Sequence, residues 1–296
     1  MKLTIGRARS STKSAAMAVL AVAMLALGAC ADTAMTPPAP TLSKERIAEI
    51  LASPDRSEAD RTNDLRRKPD QMLAFIGIRP GTTALDLSAA GGYTTELLAR
   101  SVGPAGRVYG QSAPPRDPSS PPRPAVAPEG NANPTIPAAA APATPPVRRI
   151  SAQALAERAT KPTTSNIAAV VRPFEDPVPP ELASGRIDLV TLIFNYHDLD
   201  HMGVDRDRMN RAVFAALKSG GHYVIADHAG RPGTGIAESG TLHRIEEAFL
   251  RREVEAAGFK LADQGNFLRN PSDPRDKNTP DPPQPKDQFV LKFVKP

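Results

Sequence analysis

The stretch Pro80-Gly81-Thr82-Thr83-Ala84-Leu85-Asp86-Leu87-Ser88-Ala89-Ala90-Gly91-Gly92-Tyr93 decides how the rest of the chain is read. Arg79-Pro80-Gly81 is a turn, Thr82 to Leu87 a short strand, and Tyr93 to Val102 a helix closed by Gly103-Pro104. Small residues join strand to helix. Glycines there let the backbone turn sharply and let a ligand approach it, and the helix N-terminus offers unpaired N–H groups. In an open parallel sheet the ligand crevice lies at the carboxyl ends of the strands, which is where Asp86 sits.

Outward from this unit, apolar runs alternate with helical patterns. Strands are expected at Arg107 to Gly110, Ile167 to Val171, Ile187 to Phe194 and His222 to Ala226. The run Ile187 to Phe194 is almost unbroken in its apolarity, as suits a central strand buried on both faces. Helices are expected from Ser43 through Leu51, Asp64 to Ile76, Ser151 to Thr160, Asp205 to Leu217 and Leu242 to Ala257, with glycines at 77, 220, 221 and 258 as stops. Leu261 to Leu268 and Gln288 to Val294 read as a closing antiparallel hairpin. The pattern is α/β: a seven-stranded, mostly parallel sheet with helices on both faces.

Composition divides the chain further. Residues 113–146 hold 12 of the 32 prolines and no aromatic residue, and are expected to be a disordered insertion. Residues 270–285 form a second proline-rich loop, so the folded body is 42–296 with these two interruptions. At the other end, Lys2, Arg7, Arg9 and Lys13 precede an uncharged run of 13 residues, Ala15 to Leu27, which matches a signal-peptide core. It is shorter than the roughly 20 residues that span a bilayer. Leu27-Gly28-Ala29-Cys30 resembles the bacterial lipobox, which implies cleavage after residue 29, lipidation of Cys30 and a tether over 30–41. Cys30 is the only cysteine, and Ala31 beside it favours an outer membrane, on its periplasmic side, by resemblance to lipoproteins generally. The whole chain has 37 basic and 32 acidic residues, but without the signal 33 face 32. Such a neutral domain lacks the basic surplus that nucleic acid requires.

The stretch 80–93 resembles the first motif of class I S-adenosylmethionine-dependent methyltransferases, an acidic strand end followed by a G-x-G-x-G turn. The order of elements from Asp64 to Val294 is similar as well, which implies a Rossmann-like fold. The chain particularly resembles methyltransferases whose fourth strand ends in a Tyr-His-Asp triplet, here Tyr196-His197-Asp198. The resemblance implies S-adenosylmethionine as cofactor, with Asp86 orienting its methionine end and Ser88, Ala90, Gly91 and Gly92 forming the cradle. Ser88 and Ala90 stand where the family has glycine. They suit the turn if its backbone avoids the left-handed region, where a non-glycine residue costs about 1–2 kcal/mol. Gln111 stands where the family has an acid for the ribose hydroxyls, and it or Ser112 can hydrogen-bond them without charge.

The chemistry-bearing residues gather late in the chain. All five histidines fall between His197 and His243, and His197 and His228 follow neighbouring strands. Methyl transfer is an in-line displacement that needs two partners positioned and a proton removed from the acceptor. His197 is the expected base, with Asp198 or Asp227 fixing its tautomer and His228 a second candidate. By the resemblance Asn195 holds an amine or amide acceptor, and Tyr196 can stack on a flat substrate. His197-x-x-x-His201 with Asp198, Asp200, Asp227 and His228 has the spacing of a metal site, but reads first as a hydrated acidic loop, and no metal is expected. Export and a cytoplasmic cofactor pull against each other. Two functions therefore stand: a membrane-anchored methyltransferase acting on a small molecule or envelope component, and a non-catalytic ligand-binding lipoprotein on the same scaffold.

Overall fold

Seven strands form one sheet: β1 (Thr83–Leu87), β2 (Arg107–Ser112), β3 (Ile167–Val171), β4 (Ile187–Ile193), β5 (Leu217–His228), β6 (Lys260–Gly265) and β7 (Gln288–Val294). This computed structural model describes residues 40–117, 119, 125–134 and 151–296. The expected signal segment, Cys30 and all but the end of the tether lie outside the described residues. No helix among those described is long and apolar enough to cross a membrane.

The strands lie in the order β3-β2-β1-β4-β5-β7-β6, with β7 antiparallel to both neighbours and the rest parallel. The chain builds outward from β1 to β3, then returns to the other side of β1 at β4. That reversal opens a crevice at the carboxyl ends of β1 and β4. The register sets up the site below it: Asp86 lies opposite Thr191, and His228 opposite Gln288.

Helices cover both faces. On one, α1 (Lys44–Ala52), α3 (Pro69–Ile76), α4 (Tyr93–Val102) and α5 (Ser151–Arg158) pack Ile50, Leu73, Leu98 and Leu155 onto the sheet. On the other, α7 (Arg206–Ala216) and α9 (Glu247–Ala256) bring Met209, Val213, Leu250 and Val254 against Val190 and Tyr223. Each such buried aliphatic side chain contributes about 1.5–3 kcal/mol. The remaining α-helices among the described residues are α2 (Glu58–Arg67) and the single turns α6 (Asp198–His201) and α8 (Ser239–Leu242).

Several boundaries differ from the sequence reading for local reasons. The helix expected over 64–76 is two, because Pro69 starts α3 and Lys68 before it turns left-handed, at φ 44°. Proline disfavours the helical region in the residue before it and is well placed at a helix start. The helix expected over 242–257 is likewise broken, at His243 with φ 50°. β5 begins at Leu217 and carries Gly220 and Gly221 inside it, where Gly220 donates its N–H to Lys295 (2.8 Å).

The insertion is the larger correction. Residues 125–134, expected to be disordered with the rest of 113–146, are docked on the carboxyl-end face. Ala127 donates to Gly240 (3.0 Å), Lys286 donates to Ala132 (2.7 Å), and Asn278 both accepts from Gly130 N–H and donates to Pro128. Backbone pairing and the burial of Ala132 hold the segment where composition gave no core-forming residues.

Candidate functional site

The crevice is a cleft of about 360 Å³ whose wall is the turn after β1 and whose rim includes Arg67, Phe194 and Asn195. Asp86 lies at its floor, 2% exposed, accepting from Thr95 Oγ1 (2.6 Å) in the first turn of α4 and Thr191 Oγ1 (2.7 Å) on β4. Burial pushes its carboxyl up to about 6 against the pull of the two hydroxyls.

The turn does not avoid the left-handed region. Ser88 has φ 55°, Ala90 φ 47° and Gly92 φ 80°, so two non-glycine residues adopt the glycine conformation at about 1–2 kcal/mol each. Surrounding bonds fix them: Ser88 N–H donates to Gln111 Oε1 (3.1 Å), Ser88 Oγ to Asn195 Oδ1 (2.6 Å), and Ala89 N–H to the Gln111 carbonyl (2.8 Å). Gly92 is irreplaceable for a second reason. A Cβ there would lie 2.8 Å from Leu155 Cδ2 and from Arg158 Cδ. Gly91 is exposed, and its carbonyl accepts from Arg158 Nε (2.6 Å).

Gln111 does not offer itself to a ligand as expected. It is fully buried, its oxygen taken by Ser88 and its nitrogen donated to the Arg172 carbonyl (2.7 Å).

The residues after β4 diverge. Asn195 lines the cleft, but its Oδ1 accepts from Ser88 and its Nδ2 donates to Asp198 Oδ2 (2.8 Å). Tyr196, expected to stack on substrate, points the other way. It is fully buried among the helices, donating to Glu253 Oε2 (2.9 Å) and accepting from Asn210 Nδ2 (2.9 Å). His197 is also fully buried. Its ring Nδ1 meets Asp227 Oδ1 at 2.6 Å, its backbone N–H donates to Asp227 Oδ2 (2.8 Å), and its Nε2 lies 3.1 Å from Asp198 Oδ1 without hydrogen-bond geometry. Burial opposes charge on this ring, yet Asp227 and Asp198 outweigh it and hold the imidazole at about 10. Fully buried and closed in by Asp227 and Asp198, the ring does not line the cleft, so the role of base does not fit His197.

His228 has the opposite state. Burial pushes it down to about 4, its Nδ1 meets Gln288 Nε2 (3.1 Å), and its Nε2 meets Glu129 Oε1 (3.0 Å). Since an amide nitrogen only donates, Nδ1 accepts and Nε2 carries the proton toward Glu129. Phe194 stacks on this ring at 5.2 Å and separates it from the cleft. Asp200 turns outward to Arg206 Nη1 (3.0 Å). His201 and His243 complete the cluster, with Nε2 and Nδ1 respectively 3.7 and 3.1 Å from Asp198 Oδ1.

Four contributors were not singled out from the sequence. Arg67 packs its guanidinium over Phe194 (4.6 Å) and Tyr93 (5.7 Å) at the cleft rim; burial and then Arg66 lower its pKa to about 10, which leaves it charged at neutral pH. In sequence it is one of two arginines ending a polar helix, with no sign of which one faces inward. Glu129 and the Ala127 carbonyl come from the docked insertion, and nothing in a proline-alanine composition marks them. His243 carried a signal, the clustering of all histidines within 197–243, but its left-handed backbone did not show.

No family model matches the chain, and no curated protein does. Solved structures do. A SAM-dependent methyltransferase from Aquifex aeolicus is 15% identical over 86% of this chain and all of its own, with a TM-score of 0.51. Aeropyrum pernix fibrillarin with natively bound S-adenosyl-L-methionine is 17% identical over 82% of this chain and 86% of its own, at 0.46. An arsenic(III) S-adenosylmethionine methyltransferase from Chlamydomonas reinhardtii is 14% identical over 87% and 73%, at 0.47. At such identities the likeness is one of fold, and the first of these carries it: the chain has the Rossmann-like fold of class I methyltransferases.

Proposed function

We propose that the protein is an S-adenosylmethionine-dependent methyltransferase acting on a small-molecule or envelope acceptor, anchored through lipidated Cys30 at the periplasmic face of the outer membrane. The observation that carries this reading is the cleft at the strand reversal, with a carboxylate at its floor and a guanidinium at its rim. That pair complements the ammonium and carboxylate of an amino-acid end group, so the residues fit the methionine portion of the cofactor.

When bound, the cofactor supplies a methyl group on a sulfonium, already activated for displacement. Asp86 would take the ammonium, which favours its ionised form, and Arg67 the carboxylate. The α4 N-terminus lies beside both. The protein's contribution is positioning and exclusion of water rather than proton removal by His197. Asn195, with both amide ends committed, keeps the turn in register with β4 rather than gripping an acceptor.

A non-catalytic ligand-binding lipoprotein is the second reading, and the inward-turned Gln111 favours it, because the ribose hydroxyls lose one of their two expected partners and keep only Ser112. Calorimetric titration of the protein with S-adenosylmethionine, followed by assay for methyl transfer, separates the two. Binding lost in Asp86→Ala and in Arg67→Ala, together with turnover, supports the enzyme. Binding without transfer supports the second reading, and no heat at millimolar cofactor removes the first. Cys30→Ser should move the protein from the membrane fraction to the soluble one; retention in the membrane would refute the anchor.

A further inference from the structure

Behind Asn195, three side-chain atoms face a common point. His197 Nε2 and His243 Nδ1 each lie 3.1 Å from Asp198 Oδ1, and the three atoms fall within 4.8 Å of one another. Neither ring is free to turn away. His197 Nδ1 is held by Asp227, whose carboxylate is itself fixed by the backbone N–H groups of His197 and His228 (both 2.8 Å). His243 Nε2 meets the Ala127 carbonyl at 2.6 Å. A carbonyl can only accept, so the proton of a neutral His243 is on Nε2 and its Nδ1 lone pair faces the Asp198 oxygen. Lone pair against lone pair is repulsive unless a proton or a metal cation stands between them.

The spacing admits a metal ion as well as a proton. Bonds of about 2.0–2.1 Å in a tetrahedron set donor atoms about 3.3 Å apart. His197 Nε2 is fully buried, makes no hydrogen bond among the described residues and faces Asp198 Oδ1 at 3.1 Å, so it is aimed into the site, where an ion would take the place of its proton. The supports match those that orient metal ligands: a carboxylate behind one imidazole, a backbone carbonyl behind the other, and an amide, Asn195 Nδ2, on the second oxygen of Asp198. We propose that His197, His243 and Asp198 form a binding site for one divalent first-row transition metal ion. Two imidazoles and a carboxylate select Zn²⁺ and its neighbours over Mg²⁺ or Ca²⁺, which prefer oxygen alone. Three protein ligands leave a further position on the side of His201, whose Nε2 is 3.7 Å from Asp198 Oδ1 and whose side chain is 16% exposed. This is the arrangement of an ion that also meets water or a substrate. The proposal departs from the sequence reading of this segment as a hydrated acidic loop: Asp200 points outward, while Asp198 would ligate and Asp227 support.

The site stands on its own geometry and does not depend on methyl transfer. Its test uses the full chain, stripped with a chelator and titrated with Co²⁺ while the visible d–d bands of a low-symmetry site are followed, and with Zn²⁺ against a chromophoric competitor. One equivalent should bind. His243→Ala should weaken binding at least 100-fold, and the supporting change Asp227→Asn about 10–100-fold. His222→Ala, toward the other end of β5, should leave it unchanged. Because His197 is fully buried, the partly exposed ligand Asp198 supplies the variant least prone to misfold: Zn²⁺ should raise the melting temperature of the wild type and not that of Asp198→Asn. Wild type that binds neither ion more tightly than His243→Ala, or that melts alike with and without Zn²⁺, would overturn the proposal, as would equal stabilisation by Mg²⁺.

Discussion

Asp86→Asn should make the protein more stable at pH 8 and slightly less stable near pH 4, where the lost acceptor is no longer outweighed. The ordinary value of an aspartate is 3.8, and burial raises Asp86 to about 6 in the folded state. The folded state therefore binds the proton more tightly than the unfolded chain, and ionising this group costs stability. The cost is absent below 3.8, grows as pH rises, and is complete above about 6, where the gap corresponds to about 3 kcal/mol. Asparagine does not titrate and avoids it. It also gives up one acceptor, so one of the hydroxyls of Thr95 and Thr191 must turn round and accept from the amide nitrogen, at about 1 kcal/mol. The net gain is about 1–2 kcal/mol at pH 8. Urea denaturation of both proteins from pH 4 to 8 measures it, and other titrating groups cancel in the difference. A difference flat with pH, or a variant less stable than wild type at pH 8, would refute the assignment of Asp86 as a carboxyl strained by burial. The same substitution should abolish S-adenosylmethionine binding, so the residue that costs stability is the one the ligand needs.

The turn and the triplet give further tests. Ala90→Gly relieves a left-handed alanine at an exposed site, and after the entropy a glycine adds to the unfolded chain it should stabilise by about 0.5–1 kcal/mol in thermal melts. Gly92→Ala should do the reverse by more than about 2 kcal/mol, since its Cβ meets Leu155 and Arg158 as well as an unfavourable φ; equal effects of opposite changes at 90 and 92 would argue against this turn geometry. Tyr196→Phe should lower stability by about 1–3 kcal/mol, because Asn210 and Glu253 lose a buried partner, and should leave cofactor affinity unchanged. A loss of affinity at constant stability would return Tyr196 to the substrate face.

The sheet was legible because its signals are local. Seven apolar or alternating runs, each bounded by a glycine or proline turn, became seven strands, and the hairpin Lys260–Gly265 with Gln288–Val294 closes the sheet as read. The strand order follows from the connections once the first strand–turn–helix is placed. The site was legible only in outline. Asn195, His197 and Asp198 were found by their position after β4, yet what each side chain faces depends on partners far away in sequence: Ser88, Asp227 and His243. Periodicity carries no information about such pairings. The docked part of the insertion was missed for a related reason. It is held by backbone bonds to Gly240, Lys286 and Asn278, and composition reports side chains that can build a core, not carbonyls that meet donors on another loop.

Strain in this protein is distributed unevenly, and its location supports the reading of the site. Among the described residues six non-glycine residues have positive φ, and four of them, Ser88, Ala90, Phe194 and His243, border the cleft or the histidine cluster. A phenylalanine at φ 60° has no local reason to be there. It ends β4, where its N–H donates to Ala226 (2.7 Å), and it closes the cleft on one side while stacking on His228 on the other. His243 turns left-handed where α8 ends, and that turn brings its ring between Asp198 and the Ala127 carbonyl. Each such residue costs about 1–3 kcal/mol, which the packing of the rest of the fold must offset. A scaffold under no demand but stability would be expected to shed these costs by substituting glycine, as Gly92 already does one step away. Their persistence on both sides of Asn195 ties the cleft and the histidine cluster into one constrained unit through the hydrogen-bond chain from Ser88 to Asn195 to Asp198. A ligand that moves the turn after β1 must therefore also move Asp198, and an ion held by Asp198 would stiffen the turn.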